Sequence, residues 1–360
     1  MLISNMEIGS EYWLEKEQKK EQKKKANKMD NKNAILFMSG RTAIDYAIET
    51  IIKKRKIETV YFPSYCCQSM LEPFLSRNIK ILFYNVSFKD GHFIYDIDYN
   101  KKCDVFFAMN YFGFYSSNMD YYINKFKEKD VIIIEDSTHS WFSKRKYNYN
   151  SDFVIASLRK WLPIISGGIL INLSKRFELD KNINLKKNYE YINLKKNAME
   201  EKYRYIENGE KINKEVFLEK FHKAEEILNV EYKNYKIDNI SYEILRNVNL
   251  DKIIKKRKDN VKVIYNFLKK QSKIKYIKNI DFEKDCLLFV PIFLRNVDRN
   301  RLKENLIKND VYCPNHWPIP TEIYGSKEKE IYSMELSLIC DQRYKTEDVI
   351  TYLKLISNII

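Results

Sequence analysis

Glycine is scarce in this chain. Only eight glycines and seven prolines occur in 360 residues. That excludes collagen-like, Pro/Gly-rich and other low-complexity architectures. No apolar run approaches the ~18 residues that a membrane span needs. The N-terminus, MLISNMEIGSEYWLEKEQ, lacks a basic stretch followed by an apolar one, so no signal peptide is expected. Six cysteines (66, 67, 103, 286, 313 and 340) contain no C-x-x-C pair, and the adjacent two are poorly placed to bridge each other. Reduced thiols and a cytoplasmic location are the simplest expectation, and no metal is assigned.

What is abundant is lysine, together with aromatic residues. The formal charge is +15, but Lys, Asn and Ile recur along the whole length, which is a compositional bias rather than a patch. No nucleic-acid motif accompanies it, so no nucleic-acid partner is expected. The densest run, KEQKKEQKKKANK at 16–28, is interleaved with Glu and reads as a solvated helix face or an arm. An apolar fraction of 44%, with 27 Tyr and 20 Phe, supplies a large core. A chain of this length accommodates two subdomains.

The organising stretch runs from Val131 to Gly168. Val131 to Ile134 is a continuous apolar run that stops at Glu135-Asp136. A second run, Phe153 to Ala156, ends in Ser157-Leu158-Arg159-Lys160. Runs of this kind are buried parallel strands. Together they deliver Asp136, His139 and Lys160 to one sheet edge, where open α/β sheets bind ligands. A lysine there is either a solvated strand end or a Schiff-base amine. The second use, with pyridoxal phosphate (PLP), also needs a carboxylate for the pyridine nitrogen, a phosphate cradle and a group against the ring. Asp136, Ser157 and His139 match those needs.

Upstream, Ile8 to Leu14 has helix-like apolar spacing. Ser39-Gly40-Arg41-Thr42 opens an amphipathic helix, and free N–H groups at a helix start favour a phosphate. Strands are expected at 59–62, 81–86 and 104–109, with a helix at 118–127 between the last of these and the organising stretch. Lys89-Asp90-Gly91 is a turn. Tyr65 and Asn110 lie just past strand ends. Residues 174–262 show helical spacing, with Phe217, Phe221, Ala224 and Leu228 on one face. Beyond them, strands are expected at 274–280 and 287–292, and helices at 299–308 and 346–359. His316 sits in a stiff aromatic loop. Arg343 offers either a carboxylate clamp or a salt bridge with Asp341.

In order, SGRTAIDYAI (39–48), FPSYCC (62–67), NYFG (110–113), IEDSTHS (134–140), SLRKW (157–161) and CPNHWPIP (313–320) resemble the fold type I PLP-dependent aminotransferases. More narrowly, they are similar to the DegT/DnrJ/StrS group, which includes the sugar-nucleotide aminotransferases. The resemblance implies a mostly parallel, doubly wound α/β sheet with a small C-terminal α/β subdomain. The expected division is a polar lead-in at 1–34, a PLP-binding domain at 35–255 and the small subdomain at 256–360. It also implies Lys160 as the catalytic residue. Gly40, Arg41, Thr42, Tyr65, Asp136, His139 and Ser157 would bind cofactor, and Asn110, His316 and Arg343 would contact substrate. The implied reaction is ping-pong transfer from an amino donor, glutamate, to a keto acceptor, in a homodimer with the site at its interface. The acceptor expected first is a nucleotide-linked keto-sugar for surface polysaccharide. The alternatives are a fold type I enzyme acting on a small amino or keto acid and a basic binding protein without catalysis. Two departures stand out. Cys67 occupies the place of the family's ring-stacking aromatic, and Ser157 lies three residues before Lys160 where many members have five.

Overall fold

Short, wholly apolar strands make the middle of one eight-stranded sheet. The computed structural model describes residues 7–15, 33–115, 117–180, 183–207, 213–295, 297–323 and 329–360. The Lys-rich run at 16–28 therefore lies outside the described residues. In chain order the first half comprises β1 (Ala34–Phe37), α1 (Gly40–Ile52), β2 (Thr59–Pro63), α2 (Gln68–Leu75), β3 (Lys80–Lys89), β4 (His92–Asp96), β5 (Val105–Met109), α3 (Ser117–Glu128), β6 (Ile132–Asp136), β7 (Phe153–Ser157) and β8 (Gly168–Asn172). Their spatial order is β1-β8-β7-β6-β5-β2-β3-β4. The five strands from β7 to β3 run parallel, while β8 and β4 run against their neighbours. This is the mostly parallel α/β architecture that the pattern predicts.

Every residue of β5, β6 and β7 is buried. Each fully buried Ile or Val there contributes about 1.5–3 kcal/mol. With β5, β6 and β7 parallel, Met109, Asp136 and Ser157 end at one edge. The pleat then separates the paired acids of β6, since successive side chains point to opposite faces. Glu135 turns away and accepts from Asn148 N–H at 2.8 Å and Ser151 Oγ at 2.6 Å. Burial pushes its carboxyl up to about 7, against those hydrogen bonds. Gly168 is required by a close approach: a Cβ there would lie 2.0 Å from Ser39 O.

The second half carries α4 (Tyr189–Glu207), α5 (Lys214–Val230), α6 (Asn239–Asn247), α7 (Leu250–Leu268), β9 (Lys275–Tyr276), β10 (Val290–Phe293), α8 (Arg299–Ile307), α9 (Glu330–Met334), β11 (Glu335–Leu338) and α10 (Thr346–Ile359). The last three strands form a separate sheet, β11-β10-β9. The boundary expected near 255 falls inside α7. The expected strand at 274–280 shrinks to two residues, because pairing with β10 involves only Lys275 and Tyr276.

The segment from 7 to 15 is not the expected helix. Ile8 bridges Val311 in parallel, and Trp13 and Leu14 are buried. Tertiary pairing outweighs helical spacing in so short a piece, which has too few turns to offset nucleation.

Candidate active site

The carboxyl ends of β5, β6 and β7, the start of α1 and the loop at 313–320 converge on one place. Asp136 closes β6 and is buried, and its Oδ1 accepts the Thr138 N–H at 2.7 Å. Burial raises its pKa, while hydrogen bonds from Thr138 and the charge of Lys160 oppose the rise. A carboxyl in that state gains from a cationic N–H partner. Thr138 Oγ1 also accepts the Ser157 N–H at 2.9 Å, which ties the exit of β6 to the end of β7.

His139 has a tautomer fixed by its surroundings. Its Nδ1 accepts the Phe112 N–H at 2.9 Å, so the proton of the neutral ring sits on Nε2. That Nε2 is buried and has no hydrogen-bond partner. Burial first, and then the charge of Lys160, holds the imidazole well below its usual pKa, so it stays neutral. A neutral N–H with nothing to donate to is an opening for an anionic or carbonyl oxygen.

Lys160 ends a single 3₁₀ turn that begins directly after β7. Its Nζ lies 5.7 Å over the ring of Trp317 and pairs with no carboxylate among the described residues. Trp317 also stacks on His139, with ring centroids 5.7 Å apart and planes at 30°. Trp317 has no role among the residues expected from the sequence; its signal there is an indole next to a histidine in a proline-rich loop.

At the start of α1, Ser39 caps the Thr42 N–H through its hydroxyl and the Ala43 N–H through its carbonyl. The N–H groups of Gly40 and Arg41 have no capping partner among the described residues, at the positive end of the helix dipole. Ser157 lies against them: a Cβ on residue 40 would be 3.1 Å from Ser157 Cβ. Two expected cradle groups are used elsewhere. The Arg41 guanidinium donates to Leu228 O, Asn229 O and Asn229 Oδ1 at the end of α5. The Thr42 hydroxyl donates to Tyr232 O at 2.7 Å. Of the expected cradle, the Gly40 and Arg41 N–H groups and the Ser157 hydroxyl have no partner among the described residues.

The remaining expected residues divide. Asn110 follows β5 and has a buried Oδ1 with no partner. Tyr65 is fully buried, with the rings of Tyr332, Trp317 and Tyr111 at 5.0, 5.1 and 5.2 Å, so it has no open face for stacking. His316 reaches the site, its ring centroid 5.8 Å from that of His139. Arg343 does not offer a free clamp. It forks onto Asp341, donates to Ser10 O and Glu11 O, and lies 4.1 Å from the Tyr12 ring centre.

These groups fit PLP. The orphaned Nε2–H of His139 and the uncapped N–H pair beside Ser157 supply donors for a ring oxygen and a phosphate. Asp136 and Lys160 supply the carboxylate and the amine. No metal-ligand cluster of three or more His, Cys, Asp or Glu occurs among the described residues.

No family model matches this sequence, and no curated protein matches it. Solved structures do. Helicobacter pylori PseC, an aminotransferase involved in the biosynthesis of pseudoaminic acid, superposes with a TM-score of 0.65 at 13% identity, covering 98% of this chain and 99% of its own. A protein of Streptococcus pneumoniae described as a sugar aminotransferase, in its PMP form, gives 0.64 at 12% identity over 99% and 97%. A sugar aminotransferase of Micromonospora echinospora gives 0.62 at 9% identity over 92% and 88%. The chain has the fold of these enzymes along nearly its full length.

Proposed function

We propose that this chain is a PLP-dependent aminotransferase that moves an amino group from a donor, glutamate, to a nucleotide-linked keto-sugar used in surface polysaccharide synthesis. The observation that carries the reading is the meeting of Lys160, Asp136 and the unpaired His139 Nε2–H at one buried sheet edge, beside an uncapped helix start. When bound, PLP supplies an electron sink for the carbanion formed next to the amino group. Lys160 Nζ would hold the cofactor through its amine and, when free, is the base that takes and returns the substrate Cα proton. Asp136 would keep the pyridine nitrogen protonated. Gly40 N–H, Arg41 N–H and the Ser157 hydroxyl would receive the phosphate. His139 would donate to the ring oxygen, and Trp317 would keep water from the Lys160 side.

The names of the structural neighbours support a sugar acceptor. No helix among the described residues is long and apolar enough to cross a membrane. We place the enzyme in the cytoplasm as a homodimer, with Asn110 and His316 on the substrate side.

Borohydride reduction of the protein with PLP, followed by peptide mapping, tests the assignment. A phosphopyridoxyl label on Lys160 is expected, and a label on any other lysine refutes it. Half-reaction rates with UDP- or dTDP-keto-sugars against simple 2-keto acids test the acceptor, and activity with keto acids alone excludes the sugar.

A further inference from the structure

The second histidine of the site belongs to a buried relay that the transamination scheme does not use. His316 Nδ1 lies 2.9 Å from Ser337 Oγ. Ser337 Oγ donates to Glu335 Oε1 at 2.5 Å. The Glu335 carboxylate also accepts the His316 backbone N–H, through Oε2 at 2.6 Å. Glu335 and Ser337 have no exposure, and His316 retains 7%. The hydroxyl proton of Ser337 is committed to Glu335. Its oxygen therefore acts as acceptor towards His316, and the imidazole proton sits on Nδ1. The His316 Nε2 lone pair is left bare. This atom has no hydrogen-bond partner among the described residues, and the residue keeps 7% exposure. The two rings meet nearly edge to face, at 80°. One site thus holds two histidines of opposite tautomer: His139 presents a donor, His316 an acceptor.

A bare imidazole nitrogen backed by a carboxylate is the arrangement of a general base. We propose that His316 is a second proton-transfer group of this site, held by Glu335 and Ser337 as positioning residues. The amino donor arrives as an ammonium ion and must lose one proton before its nitrogen can act as a nucleophile. His316 Nε2 takes that proton and becomes an imidazolium. Glu335 balances its charge through Ser337 and directly, with Oε1 3.8 Å from Nδ1. The aminated product, leaving as the free amine, takes the proton back, so the relay returns to its starting state each cycle. Lys160 keeps the Cα proton, a separate task. The proposal rests on the aminotransferase reading. The charged or titratable groups facing His316 are Glu335 on β11, His139 after β6, and Lys160, whose charge is felt at His139. Lys303 of α8 holds the neighbouring Asn315 at 2.6 Å.

The chain has four histidines, so imidazole ¹⁵N spectra of the cofactor-free protein are assignable residue by residue. At neutral pH, His316 is expected with its proton on Nδ1 and His139 with its proton on Nε2. A His316 proton on Nε2 overturns the proposal whether or not PLP binds. In the loaded enzyme, His316→Gln should still give the borohydride label on Lys160. It should slow the glutamate half-reaction by about 100-fold, the lower range for loss of a general base. The acid limb of the pH profile should vanish, and exogenous imidazole should restore His316→Gly. Ser337→Ala should slow the same half-reaction less and shift that limb. A His316→Gln half-reaction within about threefold of wild type, or a loss confined to KM with an unchanged pH profile and no imidazole rescue, overturns the assignment. A wild-type protein that takes up no PLP refutes the aminotransferase reading instead.

Discussion

Buried polar groups occur in two regions of this molecule, and they are treated in opposite ways. Along the segment at 7–15, the buried Glu7 and the exposed Glu11 are both ion-paired. Glu7 meets Lys202 at 3.2 Å and also Lys214. Glu11 meets Lys195, which shares Glu225 with Arg159, and Arg343 meets Asp341 at 2.8 Å. At the carboxyl edge of the sheet, by contrast, His139 Nε2 and Asn110 Oδ1 are buried without a partner, and Lys160 has no carboxylate among the described residues. Leaving a buried polar atom unpaired costs about 1–3 kcal/mol. The first region places each charge beside an opposite one, although Arg159 Nε has no hydrogen-bond partner, whereas the sheet edge leaves Lys160 without a carboxylate among the described residues. Ion pairing separates the two regions.

Substitutions should divide along that line. The largest effect is expected for Lys160→Ala: no borohydride-stable PLP adduct and turnover reduced by at least about 10³-fold, with the unfolding midpoint unchanged. Asp136→Asn comes next. It should still bind PLP but transaminate about 100-fold more slowly, as when a key electrostatic group is lost. Near-normal turnover would move Asp136 to the architectural side. Arg343→Met should do the reverse. Leaving Asp341 buried and unpaired should cost about 3–5 kcal/mol of stability in urea titrations, while the half-reaction rates per folded molecule stay within about twofold. A matching loss of the donor half-reaction would return Arg343 to the site.

The smallest effect is a pH dependence. Burial pushes Glu225 up, but Arg159 and Lys195 outweigh it and hold its carboxyl down to about 2, from an ordinary value of 4.5. A carboxyl depressed by folding stabilises above its unfolded pKa and loses that contribution as the pH falls through its folded value. The melting temperature should therefore drop between pH 4.5 and about 2. Glu225→Gln should flatten that slope without altering Lys160 labelling at neutral pH.

Much of this was readable from residue order. Buried parallel strands announce themselves as short runs of Val, Ile and Phe, because no face of such a strand can be polar. Their ends are fixed by where those runs stop, so the positions of Asp136, Ser157 and Lys160 at one edge are legible in residue order. Ser39-Gly40 was recognisable as a helix entry for the same local reason. Side-chain direction and partnership were not local. Period-2 pleating sends Glu135 away from Asp136, and α5 takes up the side chain of Arg41. A segment with helical spacing at 8–14 became a bridge to Val311, because pairing with a distant strand outweighed a helix too short to hold itself. Trp317, Glu335 and Ser337 lie more than 150 residues from Lys160 in sequence and carry no periodic signal. Only the folded chain brings their loop and strand against the sheet edge. The sequence alone determined which residues end the strands, since burial writes that in composition. The tertiary structure decided which polar groups found partners, since that depends on contacts across the whole chain.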